Sequence, residues 1–301
     1  MKSILVSILV LSSLFLKAQP YIVVLGIAQD GGFPHIGCQN ECQLAHKNPE
    51  LQRYVVSLAL VDPESGKWWL FEATPDMDRQ LQLFRGLTNA KFNYLPEGIF
   101  LSHAHMGHYT GLMFLGREAL GSQKVKVYCA PKMAQFLREN GPWSQLVKLQ
   151  NIEIRQITEH SEVLLGATSI VRPFPVPHRD EFSETMGFNI STINKSYLFI
   201  PDIDKWSKWE KNIVEEVKEV DYAFLDASFF EDGELPNRSI SEVPHPFVSE
   251  TMDLFSHEQD SVKAKVHFIH FNHTNPILFD EGKRKEVIRR GFKIAEQGAF
   301  Y

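Results

Sequence analysis

Three imidazoles within six residues, placed directly after an apolar strand end, constrain this chain more than any other feature. In Gly98-Ile-Phe-Leu-Ser-His-Ala-His-Met-Gly-His108 the apolar run reads as a strand that delivers His103 and His105 to the same side, and a turn brings His108 round to meet them. Imidazole is neutral near pH 7 and ligates zinc or iron, so a metal centre is the chemically coherent reading. Chance is the competing account. With 12 histidines in 301 residues, such spacing arises in roughly one chain in fifty before any strand context is required.

Three histidines do not close such a site, because a catalytic zinc takes three protein ligands plus water and a second metal needs more. Distant residues of ligand type fall repeatedly where apolar runs end: His178 in Phe174-Pro-Val-Pro-His178, Asp202 in Tyr197-Leu-Phe-Ile-Pro-Asp202, Asp226 in Ala223-Phe-Leu-Asp226 and His270 in Val266-His-Phe-Ile-His270. One site at a shared rim of the sheets requires that placement. Taken singly each has a plainer explanation, since an aspartate at a strand end caps turns and helices.

Short β-rich runs alternate with helical stretches along the chain. Strands are predicted at 21–26, 55–61, 68–72, 98–102, 124–129, 153–157, 168–174, 188–192, 196–200, 222–226 and 265–269, and helices at 75–84, 112–120, 132–140, 205–220 and 281–290. No repeat of fixed period and no Pro/Ser-rich linker interrupts them. With 44% hydrophobic and 23% charged residues, the reading is one α/β domain over 19–301, two sheets flanked by helices in a layered sandwich.

Residues 1–18 stand apart. Lys2 precedes a largely apolar stretch from Ile4 to Leu16, and Ala18 offers a small residue before Gln19. This is a signal-peptide pattern, shorter than the ~20 apolar residues of a membrane span. It predicts a periplasmic or secreted protein, bound to a membrane only if the segment is retained. Its removal takes two lysines and moves the formal charge from −6 to −8, which argues against nucleic acid as a partner because phosphate neutralisation needs a basic face. A small molecule is the expected substrate.

The cysteine count is odd. Cys129 lies in a strand-like stretch and reads as a small buried apolar residue. Gly37-Cys-Gln-Asn-Glu-Cys-Gln-Leu-Ala-His46 spaces two thiols and an imidazole by four residues each. It suits a structural metal or, in an oxidising compartment, a Cys38–Cys42 disulfide.

The segment from His103 to His108 resembles the His-x-His-x-Asp-His signature of the metallo-β-lactamase superfamily, and His178, Asp202 and His270 follow in that family's order. Within it, Leu25-Gly-Ile-Ala-Gln-Asp-Gly-Gly-Phe-Pro34, Ala73-Thr-Pro-Asp76 and His270-Phe-Asn-His-Thr-Asn-Pro-Ile-Leu278 resemble the pyrroloquinoline quinone (PQQ) biosynthesis protein B group. The resemblance implies the four-layered αββα sandwich of that superfamily in a single domain. It implies one metal at His103, His105 and His178 and a second at His108 and His270. Asp202 would bridge them as a catalytic carboxylate, with Asp226 a catalytic carboxylate in support. It also implies a structural zinc at Cys38, Cys42 and His273, with His46 as fourth ligand. Two departures stand out. Gly107 occupies the place of the superfamily's aspartate and has no ligand atom, which weakens the second site and leaves it empty or filled by a different metal such as iron. The PQQ group has largely lost these histidines whereas this chain keeps them, which puts its reaction nearer the superfamily's hydrolases.

The expected protein is therefore an exported metallohydrolase with one or two zinc ions in its active site, using metal-activated water on an ester or phosphodiester-like substrate. Two alternatives are an iron-dependent oxygenase of PQQ-biosynthesis type, using the open position at Gly107, and a non-catalytic binding or carrier protein of the same fold. His35, His160, His245, His257 and His267 read as surface or hydrogen-bonded core residues.

Overall fold

Strand β1 (Tyr21–Gly26) shows why two layers of core form. Its residues alternate between faces, Ile22 and Val24 packing into one apolar cluster while Val23 and Leu25 pack into another. A strand buried on both faces must be covered on both, here by a second sheet on one side and helices on the other. The computed structural model describes residues 18–235 and 244–301, so residues 1–17 of the expected signal segment lie outside the described residues.

β1 begins a six-stranded sheet that continues in chain order through β2 (Ser57–Asp62), β3 (Lys67–Phe71), β4 (Gly98–Phe100), β5 (Val125–Cys129) and β6 (Ile152–Gln156). The first two pairings are antiparallel and the rest parallel. The second sheet has seven strands, β7 (Val163–Leu165), β8 (Ser169–Pro175), β9 (Met186–Thr192), β10 (Ser196–Ile200), β11 (Tyr222–Asp226), β12 (Val266–Ile269) and β13 (Lys293–Ile294), again in chain order. Its first half pairs antiparallel, and β10 to β13 run parallel.

Between the sheets lies an aromatic cluster. Phe71 from the first sheet has its ring 4.9 Å from Phe100, 5.4 Å from Phe188 and 6.1 Å from Phe199, all four fully buried. Burying each such side chain contributes roughly 1.5–3 kcal/mol. Outside the first sheet, Met77, Leu81 and Phe84 of helix Met77–Leu87 and Met133 and Leu137 of helix Pro131–Glu139 cover Val23, Leu70 and Ile99. Outside the second, Val217 of helix Ile213–Lys218, Val248 and Met252 of helix Val248–Leu254 and Val287 of helix Glu281–Arg289 close the fourth layer. This is the αββα arrangement.

Two predicted helices break. The 205–220 stretch becomes a 3₁₀ turn at Trp206–Lys208 and a helix at Ile213–Lys218, separated because Asn212 caps the second by accepting from Val214 N. Both tryptophans of the turn are held by tertiary bonds instead, Trp206 Nε1 to Thr251 Oγ1 at 2.9 Å and Trp209 Nε1 to the Pro175 carbonyl at 3.2 Å. The 112–120 stretch is a 3₁₀ helix over Thr110–Leu115, ended where Gly116 turns extended.

Among the described residues no helix is long and apolar enough to cross a membrane. The parallel strands fix where the site falls. Glu72 follows β3, Ser102 and His103 follow β4, Asp202 follows β10, Asp226 ends β11 and His270 follows β12. Carboxyl ends of parallel strands share one rim, so these residues are brought to the same edge of the sandwich.

Candidate metal centre

Each buried histidine of the centre is oriented from behind. Ser102 Oγ lies 2.8 Å from His103 Nδ1 and 3.5 Å from His108 Nδ1, and Glu72 Oε2 lies 3.5 Å from the latter. At the exit of β12, Ser228 Oγ lies 2.9 Å and Asp226 Oδ1 3.3 Å from His270 Nδ1. With Nδ1 engaged, the Nε2 atoms of His103, His108 and His270 face inward, buried and without a hydrogen-bond partner. A partner at Nδ1 is how ligating imidazoles are held with the Nε2 lone pair presented to a metal. A buried polar atom left unsatisfied costs about 1–3 kcal/mol, and three of them aimed into one region are what a cation would satisfy. His178 is the exception, since its Nδ1 is also buried and unpartnered.

Asp202, 2% exposed, sits in the middle. Its Oδ2 lies 3.2 Å from His178 Nε2, 3.3 Å from His103 Nε2, 3.8 Å from His108 Nε2 and 3.9 Å from His105 Nδ1. His105 is turned by Glu181, whose Oε2 stands 3.0 Å from Nε2, so that Nδ1 comes within 3.2 Å of His178 Nε2. Ligands about 2.0–2.2 Å from a tetrahedral zinc sit roughly 3.3–3.6 Å from one another, and these separations scatter around that figure. Three sets of donor atoms each lie within 4.8 Å of one another: His103, His105, His178 and Asp202; Asp30, His108 and His270; and Asp202, Asp226, His245 and His270. The nitrogen and oxygen donors fit zinc or iron.

The imidazoles and carboxylates of the centre shift one another's protonation. Burial pulls His108 down, but the Asp30 and Glu72 carboxylates outweigh it and hold the ring up at about 10. His245 is likewise pulled down by burial and held up at about 10 by Asp226 and Asp202. Burial together with the charge on His108 keeps His103 well below the usual histidine range. Asp202, pushed up by burial, is held well below the ordinary carboxylate range by His178 and His245. A bound cation would displace these protons. Backbone strain falls at the same place, since Glu72 (φ +73°) and His270 (φ +68°) adopt left-handed conformations costing about 1–2 kcal/mol in non-glycine residues.

His103, His105, His108, His178, Asp202 and His270, expected from sequence to meet, do meet. Asp226, 0% exposed, stands behind them: it accepts from Ser228 and Ile203 and touches His245 and His270. His245, expected to be a bystander, is part of the centre, with Nδ1 3.1 Å from Asp202 Oδ1 and 2.9 Å from Asp226 Oδ2. It sits in Glu242-Val-Pro-His-Pro-Phe247, whose flanking prolines carry no strand or helix period. Asp30 was also missed, although it lies in the segment that carries the subgroup resemblance; its Oδ1 is 3.4 Å from His108 Nε2.

The amino-terminal cysteine set is not assembled as expected. Cys38 and Cys42 are free thiols in one small buried cluster with Ala28, Phe33 and Ala45, so the disulfide is not formed. Burial and the neighbouring Cys38 push the Cys42 thiol up to about 12. His46 points elsewhere, because its Nε2 donates to the Cys38 carbonyl at 3.2 Å. His273 stacks on His35 with ring centres 4.2 Å apart. Among the described residues, no group of three donors within 4.8 Å includes Cys38, Cys42, His46 or His273.

The fold and the histidine centre together define the class: the chain belongs to the beta-lactamase superfamily, whose domain matches residues 67–271, more than half of its length and a span that contains all six expected ligands. Within that class it is similar to Coenzyme PQQ synthesis protein B of Methylobacillus flagellatus, 28% identical over 306 residues, covering 92% of this chain and 98% of that protein. It is 23% identical to the protein of the same name from Rhizobium meliloti, covering 92% of this chain and 96% of that one. Among solved structures, Zn(2+)-bound PqqB from Methylobacterium extorquens superposes with a TM-score of 0.76 at 20% identity, over 93% of this chain and 99% of that one. A diphosphatase from the PhnP family does so with a TM-score of 0.66 at 21% identity, over 94% and 97%. The expected fold and family resemblance are thereby borne out.

Proposed function

We propose that this chain is an exported metal-dependent hydrolase acting on a small ester or phosphodiester-like substrate. The observation that carries the reading is the convergence of His103, His105, His108, His178, Asp202 and His270 with three buried Nε2 atoms unpartnered. His103, His105 and His178 would hold one zinc and His108 and His270 a second, with Asp202 facing both. Bound there, such a metal supplies Lewis acidity and water of lowered pKa. Ser102, Glu72, Ser228 and Asp226 keep the imidazoles oriented from behind. His245, steadied by Asp226, sets its Nδ1 beside Asp202 Oδ1 and holds that carboxylate in place. A solved neighbour described as a diphosphatase supports phosphoester chemistry.

The test is turnover of the zinc-loaded protein on a panel of carboxylic and phosphoric esters, against His105→Ala. The variant should lose metal and turnover together; retained turnover refutes the reading. Export rests on the composition of residues 1–18, and a mature amino terminus at Gln19 in the cell envelope or medium is the expected finding.

Similarity over 92% of the chain to proteins named Coenzyme PQQ synthesis protein B favours a second reading, an iron-dependent oxygenase of cofactor synthesis using the same ligands. Oxygen consumption with iron and not with zinc separates the two. A structural zinc at Cys38, Cys42 and His273 belongs to either reading, supported by the burial of both cysteines in one small cluster and by His273 Nδ1, which is buried and unpartnered.

A further inference from the structure

Gly107 removes a ligand from the position where the superfamily signature has aspartate, yet the space is not vacant. A Cβ built on Gly107 would lie 2.1 Å from Asp30 Oδ1, 2.6 Å from Asp30 Cα and 2.9 Å from Asp30 Cγ. Real side chains do not approach so closely, so a side chain at 107 and Asp30 in its present position exclude each other. Asp30 comes from the turn after β1, a different element entirely. That turn is tied to the centre, for Gln29 N donates to the Phe271 carbonyl at 2.8 Å, one residue beyond His270.

We propose that Asp30 supplies the carboxylate ligand that Gly107 lacks, building a second metal site with His108 and His270. The inference rests on the metal-centre reading above. Asp30 Oδ1 is buried, and the fully buried His108 and His270 reach toward it; the three donor atoms lie within 4.8 Å of one another. The 3.4 Å between Asp30 Oδ1 and His108 Nε2 matches two ligands on one tetrahedral zinc, roughly 3.3–3.6 Å apart. A simple ion pair would align the two atoms for a hydrogen bond. Here Asp30 and His108 are close enough to pair as ions, but neither atom makes an aligned hydrogen bond, nor does His270 Nε2, and all three are buried within 4.8 Å of one another. Asp30 thus raises the second site from two imidazoles to three donors, with Asp202 Oδ2 standing 3.8 Å from His108 Nε2 beside them.

The experiment measures stepwise zinc affinity and the cobalt(II) absorption spectrum of metal-stripped protein for wild type, Asp30→Asn, Gly107→Asp and the exchange Asp30→Gly with Gly107→Asp. Asp30→Asn should weaken the second metal by at least roughly 10–100-fold and leave the first unchanged. Gly107→Asp alone should also lose the second metal, because the new side chain collides with Asp30. The exchange should recover it, with the cobalt bands of the second site returning. First-metal affinity serves as the control for folding in every variant. Wild type that binds no metal strikes the metal-centre reading itself. A first metal without a second in wild type, an unchanged second metal in Asp30→Asn, or a folded exchange variant with no recovery overturns the assignment of Asp30 alone.

Discussion

Replacing Asp226 by alanine removes a carboxylate that is 0% exposed and organises three segments of chain. Its Oδ1 accepts from Ser228 N at 3.0 Å and Ser228 Oγ at 2.8 Å, and its Oδ2 accepts from Ile203 N at 3.1 Å and faces His245 Nδ1 at 2.9 Å. Truncation strands two backbone amides, a hydroxyl and an imidazole that is held protonated. Each orphaned buried donor costs about 1–3 kcal/mol; water entering so polar a cavity offsets part of that. Removing one partner of a buried charged pair costs about 3–5 kcal/mol, and that is the expected total for Asp226→Ala. Against a typical stability of about 5–15 kcal/mol, this is a large fraction. Asp226→Asn keeps the shape and one acceptor but sets an amide N–H₂ against a donor, and should cost less than the alanine. Urea unfolding of metal-stripped protein near pH 7 is the assay, since bound metal would add its own stabilisation. A loss below about 1 kcal/mol with an unchanged slope would refute the view that Asp226 anchors the rim.

The metal-stripped protein should lose stability as pH rises from about 6.5, the unfolded histidine value, toward the folded value of about 10 of His108 and His245. A raised folded value stabilises fully below the unfolded one and is lost above the folded one, so each group contributes a slope of up to about 1.4 kcal/mol per pH unit. Zinc affinity should climb over the same range as metal displaces those protons. Chemical denaturation at several pH values between about 6.5 and 8.5, with and without zinc, checks both, and rising stability of the stripped protein in that window contradicts them. Cys38→Ser should lower total bound zinc by about one equivalent while leaving turnover of the histidine centre largely intact. Mass spectrometry of the native protein reads the loss, and an unchanged zinc count removes the structural site.

The main ligands were legible because they combine a local signal with a positional one. Apolar runs mark strands, and a histidine or aspartate just past each run is carried to the sheet rim whatever the intervening chain does. That logic finds His103, Asp202, Asp226 and His270. It fails for His245, which sits between prolines outside any strand, and for Asp30, whose contact with position 107 exists only after the turn beyond β1 packs against the histidine segment. The missing aspartate at 107 read as a weakened site because a sequence shows an absent side chain but not the neighbour that fills its volume. The 205–220 helix misled for a related reason: its charge pattern is amphipathic, but Trp206 and Trp209 are bonded to Thr251 and Pro175 from distant segments. At the cysteine loop, regular spacing could not reveal that a backbone carbonyl claims His46.

Metal binding is the role proposed for these imidazoles and carboxylates. Its most direct test is the zinc content per chain of wild type and His105→Ala after dialysis against a weak chelator, with the cobalt-substituted spectrum as the reporter of nitrogen and oxygen ligation. Wild type should retain metal at the histidine centre, and His105→Ala should lose it. A folded wild type that gives up all its metal to the weak chelator and shows no cobalt spectrum would contradict the account.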